Sequence, residues 1–334
     1  MSNNSNTQIA AAQPTALTIQ NGLNDIVDMF LRQHDCSCES SRKLYGRALR
    51  QYFAWVEHTG RNLQELTRAD VIAFRDNILQ GYTYTDANGT EVNEPAKSSL
   101  TAASYLTAVK LFYSWLHEEN NLMTDIAAGV KLPKREKRYE REALTNAQAH
   151  TLIEQTAATA NTRDTAIINL LLRCGLRTIE VVRADVGDIK TKGGAWVLYV
   201  QGKGHQHKDN FVILSDKCRS ALSAYLQERG NPDSSAPLFT CDSNRNKDGR
   251  LTTRTISGIA KRHLQGIGLN SRSYTAHSLR HTAACSLLEA TDNIHLVQMT
   301  LRHQSAATTS LYTYHIEERR RLKAAAEQKL DALF

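Results

Sequence analysis

Apolar residues recur at helical spacing through the first part of the chain. The first such stretch places its apolar side chains on one helical face: Ile19, Leu23, Ile26, Val27, Phe30 and Leu31. The second predicts another helix with these residues inward: Tyr45, Leu49, Tyr52, Phe53 and Val56. A third helix is predicted from Leu66, where Thr67 and Asp70 have the spacing of a capping pair. A fourth covers residues 98–119, so the pattern predicts a small four-helix domain.

The stretches around these helices are polar. Residues 1–17 have no apolar period and predict a flexible tail. Residues 82–95 are rich in turn formers and predict a loop, with a small hairpin around Asn88 and Gly89 as the alternative. Residues 131–142 carry six basic and three acidic residues, so a basic linker is expected over residues 131–143.

A second domain is expected from residue 144. Thr145 and Gln148 form a capping pattern, and helices continue to Cys174, where Gly175 can supply a left-handed cap. Three runs of strand formers follow, at residues 186–190, 196–200 and 210–214. We therefore expect a multidomain, mainly α protein. Its N-terminal four-helix domain covers residues 18–130, and an α+β domain with a small three-stranded sheet covers residues 144–315. A C-terminal tail helix is expected over residues 316–334.

Charge favours a polyanionic partner such as nucleic acid. The 334 residues carry a net charge of +7, with a pI of about 9.1. Basic residues on predicted helix faces are placed either to meet phosphates or to be solvated: Arg42, Lys43, Arg47, Arg50, Arg254, Lys261 and Arg262.

Other features of the sequence argue against a membrane protein, a disulfide-bonded protein and a metal site. The longest apolar run, residues 166–172, is far shorter than the roughly 20 residues that span a bilayer, so no membrane association is expected. The six cysteines are scattered, which is typical of reduced thiols in a cytoplasmic protein. His34, Cys36 and Cys38 lack a second ligand pair, so no metal site is predicted.

Four segments of the second domain carry candidate chemistry. They are residues 175–180 (GLRTIE), 202–204 (GKG), 277–281 (HSLRH) and 301–303 (LRH), the last followed nine residues later by Tyr312. In this order and spacing they resemble the tyrosine recombinase family, which includes the Xer proteins and phage-type integrases. The resemblance covers nearly the whole chain from about residue 19.

The resemblance implies an active site made of these residues: Arg177, Lys203, His277, Arg280, His303 and Tyr312. It implies a nucleoid-associated, site-specific recombinase of a prokaryote, phage or mobile element. Such an enzyme cuts and rejoins DNA through a 3′-phosphotyrosine and a Holliday junction, with no metal, ATP or other cofactor. The implied partners are double-stranded DNA, held by the helical and catalytic domains, and a homo-tetramer on two DNA sites that exchanges C-terminal tails. Integration, excision, inversion and resolution all stay open, as does a need for accessory proteins.

Elementary chemistry is consistent with these residue types. A tyrosine hydroxyl has a pKa of about 10 and is a weak nucleophile at neutral pH. Two guanidiniums, Arg177 and Arg280, can clamp the phosphate oxygens on which charge develops. Lys203 is the expected general acid for the departing 5′ oxygen. His277 is the expected proton acceptor, and His303 a hydrogen-bond donor to the phosphate.

Several alternatives stay open from the sequence. Tyr314 competes with Tyr312 as the nucleophile. His281 competes with His277, whose spacing from the following arginine corresponds to one helical turn. Arg302 is interpreted as a surface charge. The C-terminal tail can dock on a neighbouring subunit or fold back on its own domain. A type IB topoisomerase-like relaxing enzyme and a non-catalytic, sequence-specific DNA-binding factor are the alternative functions.

Overall fold

The computed structural model describes residues 19–33, 39–85, 89–119, 124–134, 142–202, 207–242 and 247–303, together with Asp331 and Leu333. Its contacts divide the chain into two compact units, Met1–Arg138 and Tyr139–Phe334. Both units are mainly helical, and the second also contains a three-stranded sheet. The expected fold class is confirmed. The expected N-terminal tail lies outside the described residues, as does almost all of the C-terminal tail.

The described part of the first unit consists mainly of helices. Its described helices are α1 (Ile19–Gln33), α2 (Glu39–His58), α3 (Arg68–Gln80) and α4 (Ser99–Glu119). α3 begins where the sequence predicts, because the backbone N–H of Thr67 donates to Asp70 Oδ2 at 2.8 Å. Two antiparallel strands, β1 (Tyr82–Thr85) and β2 (Glu91–Glu94), lie between α3 and α4. The hairpin alternative is therefore confirmed, and the loop interpretation is wrong for these strands.

Aromatic side chains fill the core of the first unit. Tyr52 of α2 and Phe74 of α3 are fully buried, with ring centroids 4.9 Å apart. The hydroxyl of Tyr52 lies 3.0 Å from that of Tyr113 in α4, so the two buried polar groups satisfy each other. These contacts join three helices without leaving a buried hydroxyl unpaired.

The second unit combines helices with a small sheet. Its described helices are α5 (Asn146–Ala158), α6 (Thr162–Arg173), α7 (Thr178–Arg183), α8 (Asp216–Glu228), α9 (Thr253–Gly266), α10 (Ala276–Thr291) and α11 (Ile294–Leu301). Its strands are β3 (Ile189–Lys192), β4 (Ala195–Val200) and β5 (Asn210–Ile213). The sheet is antiparallel, with β4 in the centre.

The first strand of this sheet begins later than the sequence predicts. Residues 186–188 form a short 3-10 turn, and β3 starts only at Ile189. The turn forms because Asp188 Oδ2 accepts the backbone N–H of Asp185 at 2.6 Å. The N–H of Gly187 donates to the carbonyl of Ser234 at 2.8 Å, which gives this segment a partner outside the sheet.

α6 forms the centre of the second unit's core. Residues 166–172 are all buried, so the longest apolar run is a buried helix segment, as predicted. No helix in the described part of the chain is long and apolar enough to cross a membrane. After α6, Gly175 adopts φ +57°, the left-handed conformation that glycine accepts without steric cost. The predicted left-handed turn is confirmed, and it leads directly to Arg177.

Candidate active site

Arg280 lies in the first half of α10 and is only 1% exposed. Its guanidinium donates to two backbone carbonyl oxygens, that of Gly175 and that of Leu301, the latter at 2.5 Å. Gly175 belongs to the turn after α6, and Leu301 is the last residue of α11. Arg280 therefore connects three elements, and these bonds provide the partners that a buried guanidinium requires.

Arg177 immediately precedes α7 and is more accessible. Its side chain is 29% exposed, and Nη1 donates to Glu180 Oε1 at 2.9 Å. The backbone N–H of Arg177 donates to the other oxygen, Oε2, at 2.8 Å. Nη1 of Arg280 lies 3.9 Å from the same Oε2. Glu180 thus brings the two predicted arginines to one carboxylate.

Glu180 is fully buried, and it is a site residue that the sequence reasoning misses. Burial acts to raise the pKa of this carboxyl. The charge of Arg302, the N–H of Arg177 and the charge of Arg280 outweigh burial and hold the pKa below its ordinary value. Glu180 is therefore ionised at neutral pH. The signal in the sequence is an acidic residue three positions after a candidate arginine, in the first turn of a helix.

The side chain of Arg302 points into the protein interior, so its interpretation as a surface charge is wrong. Its side chain is 7% exposed, and Nη2 donates to Glu180 Oε2 at 2.8 Å. Nη1 donates to the carbonyl of Thr300 at 2.7 Å. A buried, ionised carboxylate is a strong partner for a guanidinium, and this contact accounts for the burial of Arg302.

His303 follows Arg302 and is 8% exposed. Its backbone N–H donates to the carbonyl of Gln298 at 3.1 Å, which fixes it to the end of α11. Burial, followed by the positive charges of Arg280, Arg177 and Arg302, lowers its pKa to about 4. The imidazole is therefore neutral at pH 7, and a neutral imidazole still donates one N–H.

The structure separates the two competing histidines of α10. His277 is exposed in the first turn, where its backbone N–H donates to Thr275 Oγ1 at 3.2 Å. His277 and Arg177 line the same cavity, of about 260 Å³. His281 is 5% exposed, and its Nδ1 lies 3.5 Å from the buried Sγ of Cys285. This placement favours His277 over His281 as the site histidine.

Some candidate residues lie outside the described residues: Lys203, Tyr312, Tyr314, His34, Cys36 and Cys38. Lys203 belongs to the connection between β4 and β5, whose first residues are described. There the carbonyl of Gly202 accepts a hydrogen bond from Arg183 Nη1 at 3.1 Å. Of the predicted site residues, the structure therefore brings together Arg177, His277, Arg280 and His303.

Similarity to known proteins extends over both units. The chain matches the phage integrase family over residues 142–319. It is 32% identical to a tyrosine recombinase XerC of Caldanaerobacter subterraneus subsp. tengcongensis over 234 residues, which are 68% of this chain and 62% of that relative. It therefore spans less than two thirds of the length of that relative. It is also 32% identical to a tyrosine recombinase XerC of Corynebacterium glutamicum over 266 residues, covering 77% of this chain and 82% of the relative.

A solved structure has the same fold. It is a crystal structure of the XerH site-specific recombinase bound to a palindromic difH substrate, in a post-cleavage complex. The match has a TM-score of 0.68 and covers 91% of this chain and 85% of the other, at 19% identity. At this level of identity the likeness concerns the fold.

Proposed function

The chain belongs to the phage integrase family of tyrosine recombinases, and from this membership we propose that it is a site-specific DNA recombinase with a phosphate site built by Arg177, Arg280 and His303. One observation carries the proposal: both arginines converge on the ionised carboxylate of Glu180, beside a neutral, buried histidine. Fixed positive charge of this kind stabilises the negative charge that develops on a phosphodiester during cleavage. The other proposed site residues are Lys203, His277 and Tyr312.

Strand cleavage begins with attack of the Tyr312 hydroxyl on the phosphorus. The Oη–P bond forms while the bond from phosphorus to the 5′ oxygen breaks. His277 takes the proton of the tyrosine, and Lys203 gives a proton to the departing oxygen. The 3′ phosphate stays on the protein as a phosphotyrosine ester, which conserves the bond energy. Attack by a 5′ hydroxyl of a second strand reverses these transfers and rejoins the DNA.

The two arginines and His303 have different parts in this scheme. Arg280 is anchored by backbone carbonyls and is almost fully buried, so its charge is preorganised. Arg177 is 29% exposed and is the arginine open to an entering phosphate. His303 donates an N–H without adding a charge, because its pKa is lowered to about 4.

An apolar cleft beside the site supports assembly with other subunits. The cleft is about 800 Å³ in volume and is lined by residues of β5 and α11 and by Arg302 and His303, which follow α11. Ile213 is 64% exposed and Met299 is 76% exposed there, and contiguous exposed apolar surface marks interaction sites. We assign this cleft to the C-terminal tail of a neighbouring subunit, in a homo-tetramer on two double-stranded DNA sites. Tail docking would then couple assembly to the residues that hold the phosphate.

Covalent trapping tests the proposed function. Full-length wild type, Tyr312→Phe and Tyr314→Phe are incubated with a nicked substrate whose site has been selected from a DNA library. After cleavage the short fragment diffuses away, so the reverse attack fails and the adduct accumulates. We expect a denaturant-resistant adduct with wild type and Tyr314→Phe, and none with Tyr312→Phe. Tight binding with no adduct from any chain would instead indicate a DNA-binding factor. Adduct formation with plasmid relaxation but no joining of two sites would indicate a topoisomerase-like enzyme.

A further inference from the structure

Arg302 occupies an uncommon position for an arginine. It caps α11 with φ +55° and ψ +47°, in the left-handed region that residues other than glycine seldom adopt. Its side chain is 7% exposed, and burying a guanidinium is costly unless its charge is paired. Among the described residues, its Nε has no hydrogen-bond partner. The left-handed backbone, the burial of the guanidinium and the unpaired Nε–H of Arg302 each cost free energy. A favourable contact elsewhere must therefore compensate for these costs.

The compensating contact is with Glu180. Arg302 Nη2 lies 2.8 Å from Oε2, and Arg177 Nη1 lies 2.9 Å from Oε1. The two carboxylate oxygens are therefore divided between two guanidiniums. Arg280 Nη1 stands 3.9 Å from Oε2, which is beyond hydrogen-bond distance. Arg302 and the backbone N–H of Arg177 thus share the oxygen that lies 3.9 Å from Arg280.

The net charge of this cluster determines how strongly it attracts a phosphate. Three guanidiniums face one carboxylate, so the cluster has a net charge of two positive units. Without Arg302, one positive unit would remain, and Glu180 would attract Arg280 more strongly. Because an ion pair with Glu180 competes with an ion pair to a phosphate, both changes would weaken the anion site.

We propose that Arg302 is a positioning residue for the two phosphate-binding arginines. It occupies Glu180 Oε2 together with the backbone N–H of Arg177. This keeps the Arg177 guanidinium on Oε1 and leaves Arg280 on the carbonyls of Gly175 and Leu301. The inference rests on the proposed function, because it takes Arg177 and Arg280 as phosphate ligands. It does not involve Tyr312, so its test requires no strand cleavage.

Two substitutions of Arg302 distinguish the contribution of its guanidinium from that of its left-handed backbone. Arg302→Gly removes the charge and keeps the left-handed turn, which glycine adopts without a Cβ penalty. Arg302→Lys keeps the charge but lacks the planar fork that contacts two acceptors at once. Each full-length protein, with 13C-labelled histidine, is titrated with inorganic phosphate while the imidazole signal of His303 is followed by NMR. We expect phosphate affinity to fall about tenfold in Arg302→Gly and about threefold in Arg302→Lys.

A double-mutant cycle with Glu180→Gln distinguishes positioning from packing. In the Glu180→Gln protein there is no carboxylate charge to divide, so adding Arg302→Gly should lower phosphate affinity by less than about threefold. The pKa of His303 is a second readout. Burial, Arg280, Arg177 and Arg302 lower this pKa and Glu180 raises it, so Arg302→Gly should raise it while burial keeps it below the ordinary value.

Specific outcomes would overturn the proposal. Folded Arg302→Gly and Arg302→Lys proteins with wild-type phosphate affinity would contradict it. So would an equal effect of Arg302→Gly in the wild-type protein and in the Glu180→Gln protein, because Arg302 would then act independently of the carboxylate. If Arg302→Gly does not fold, wild-type affinity in Arg302→Lys decides against it. Loss of the adduct in Tyr312→Phe would stand in each case, so failure here is distinguishable from failure of the proposed function.

Discussion

At the scale of single residues, Glu180 carries the negative charge around which the site is arranged. A lone buried carboxylate would take up a proton or destabilise the fold. Here Arg177 and Arg302 each donate to one of its oxygens, and its pKa is held below the ordinary value despite burial. The guanidiniums outnumber the carboxylate, so the contacts that satisfy Glu180 also leave a positive field for a phosphate.

The lowered pKa of His303 predicts a specific dependence of stability on pH. In the unfolded chain His303 takes up a proton near its ordinary pKa of 6.5, whereas in the folded protein it does so only near 4. Between these two values the unfolded state binds more protons, so the free energy of unfolding decreases as the pH falls from 6.5 to 4. We expect His303→Gln to lose less stability than wild type over this range, as measured by urea denaturation at several pH values.

His150→Gln is the matched control for that measurement. His150 lies on α5, and its side chain is 74% exposed in a pair with Glu154, a contact that contributes little to stability. Its substitution should leave the wild-type pH dependence in place. Parallel curves for wild type and His303→Gln would show that the folded protein does not hold His303 neutral.

Arg177 and Arg280 were proposed from the sequence, whereas the pairing of Arg302 with Glu180 was not, because it joins residues that are far apart in the chain. The first two stand in the short motifs that carry the family resemblance, residues 175–180 and 277–281. Arg302 meets Glu180 across 122 residues of sequence, and only the folded chain brings the end of α11 to the start of α7. Without knowledge of the contact with Glu180, an arginine that precedes a histidine is interpreted as a solvated charge.

At the scale of secondary-structure elements, the start of a helix is predicted correctly where apolar residues recur at helical spacing and a capping residue precedes them. The start of α5 follows the sequence, because Thr145 Oγ1 accepts the backbone N–H of Gln148 at 3.2 Å. The start of β3 does not, because Asp188 caps Asp185 and turns a run of strand-compatible residues into a 3-10 turn. Short-range hydrogen bonds of aspartate compete with strand pairing, and propensity alone does not show which prevails.

The turn after α6 predicts a strong effect of Gly175→Ala. Gly175 has φ +57°, and a Cβ added there would stand 2.6 Å from Leu301 Cδ2. Leu301 is 1% exposed and has little room to move. We expect the left-handed conformation to cost about 1–2 kcal/mol of unfolding free energy and the overpacking about 1–3 kcal/mol more, measured by urea denaturation.

Gly193→Ala separates these two costs. Gly193 has φ +54°, and nothing lies within 4 Å of an added Cβ. Its substitution should cost only the conformational part. Equal losses for the two variants would show that α11 does not pack tightly against the turn that carries Arg177.

Exposed arginines on α2 predict a salt-dependent contact with DNA. Arg47 and Arg50 are both exposed, and each neutralised phosphate contributes about 0.9 to the slope of log affinity against log salt concentration. We expect Arg47→Gln and Arg50→Gln each to reduce that slope by about 1 in a fluorescence-anisotropy titration. Lys43→Gln is the control, because Lys43 already pairs with Glu39 at 2.6 Å. Unchanged slopes for both arginine variants would place this face away from the DNA.

At the scale of the whole molecule, the two units have separate cores. Phe74 is fully buried in a cluster formed by residues of the first unit, and Ile167 in a cluster formed by residues of the second. Phe74→Ala should destabilise the first unit by about 3–5 kcal/mol, and Ile167→Ala the second by about 2–5 kcal/mol. In calorimetry we expect two transitions, with each variant lowering the midpoint of only one. A single transition that shifts equally in both variants would show that the units unfold together.

Identification of the residue that carries the DNA is the most direct measurement of the proposed recombinase chemistry. The trapped adduct is digested with nuclease and protease, and the modified peptide is sequenced by mass spectrometry. We expect a nucleotide joined through phosphate to Tyr312. A nucleotide on Tyr314 or on any other residue would contradict the assignment of the nucleophile. Recovery of no modified peptide from a DNA-bound protein would contradict covalent catalysis.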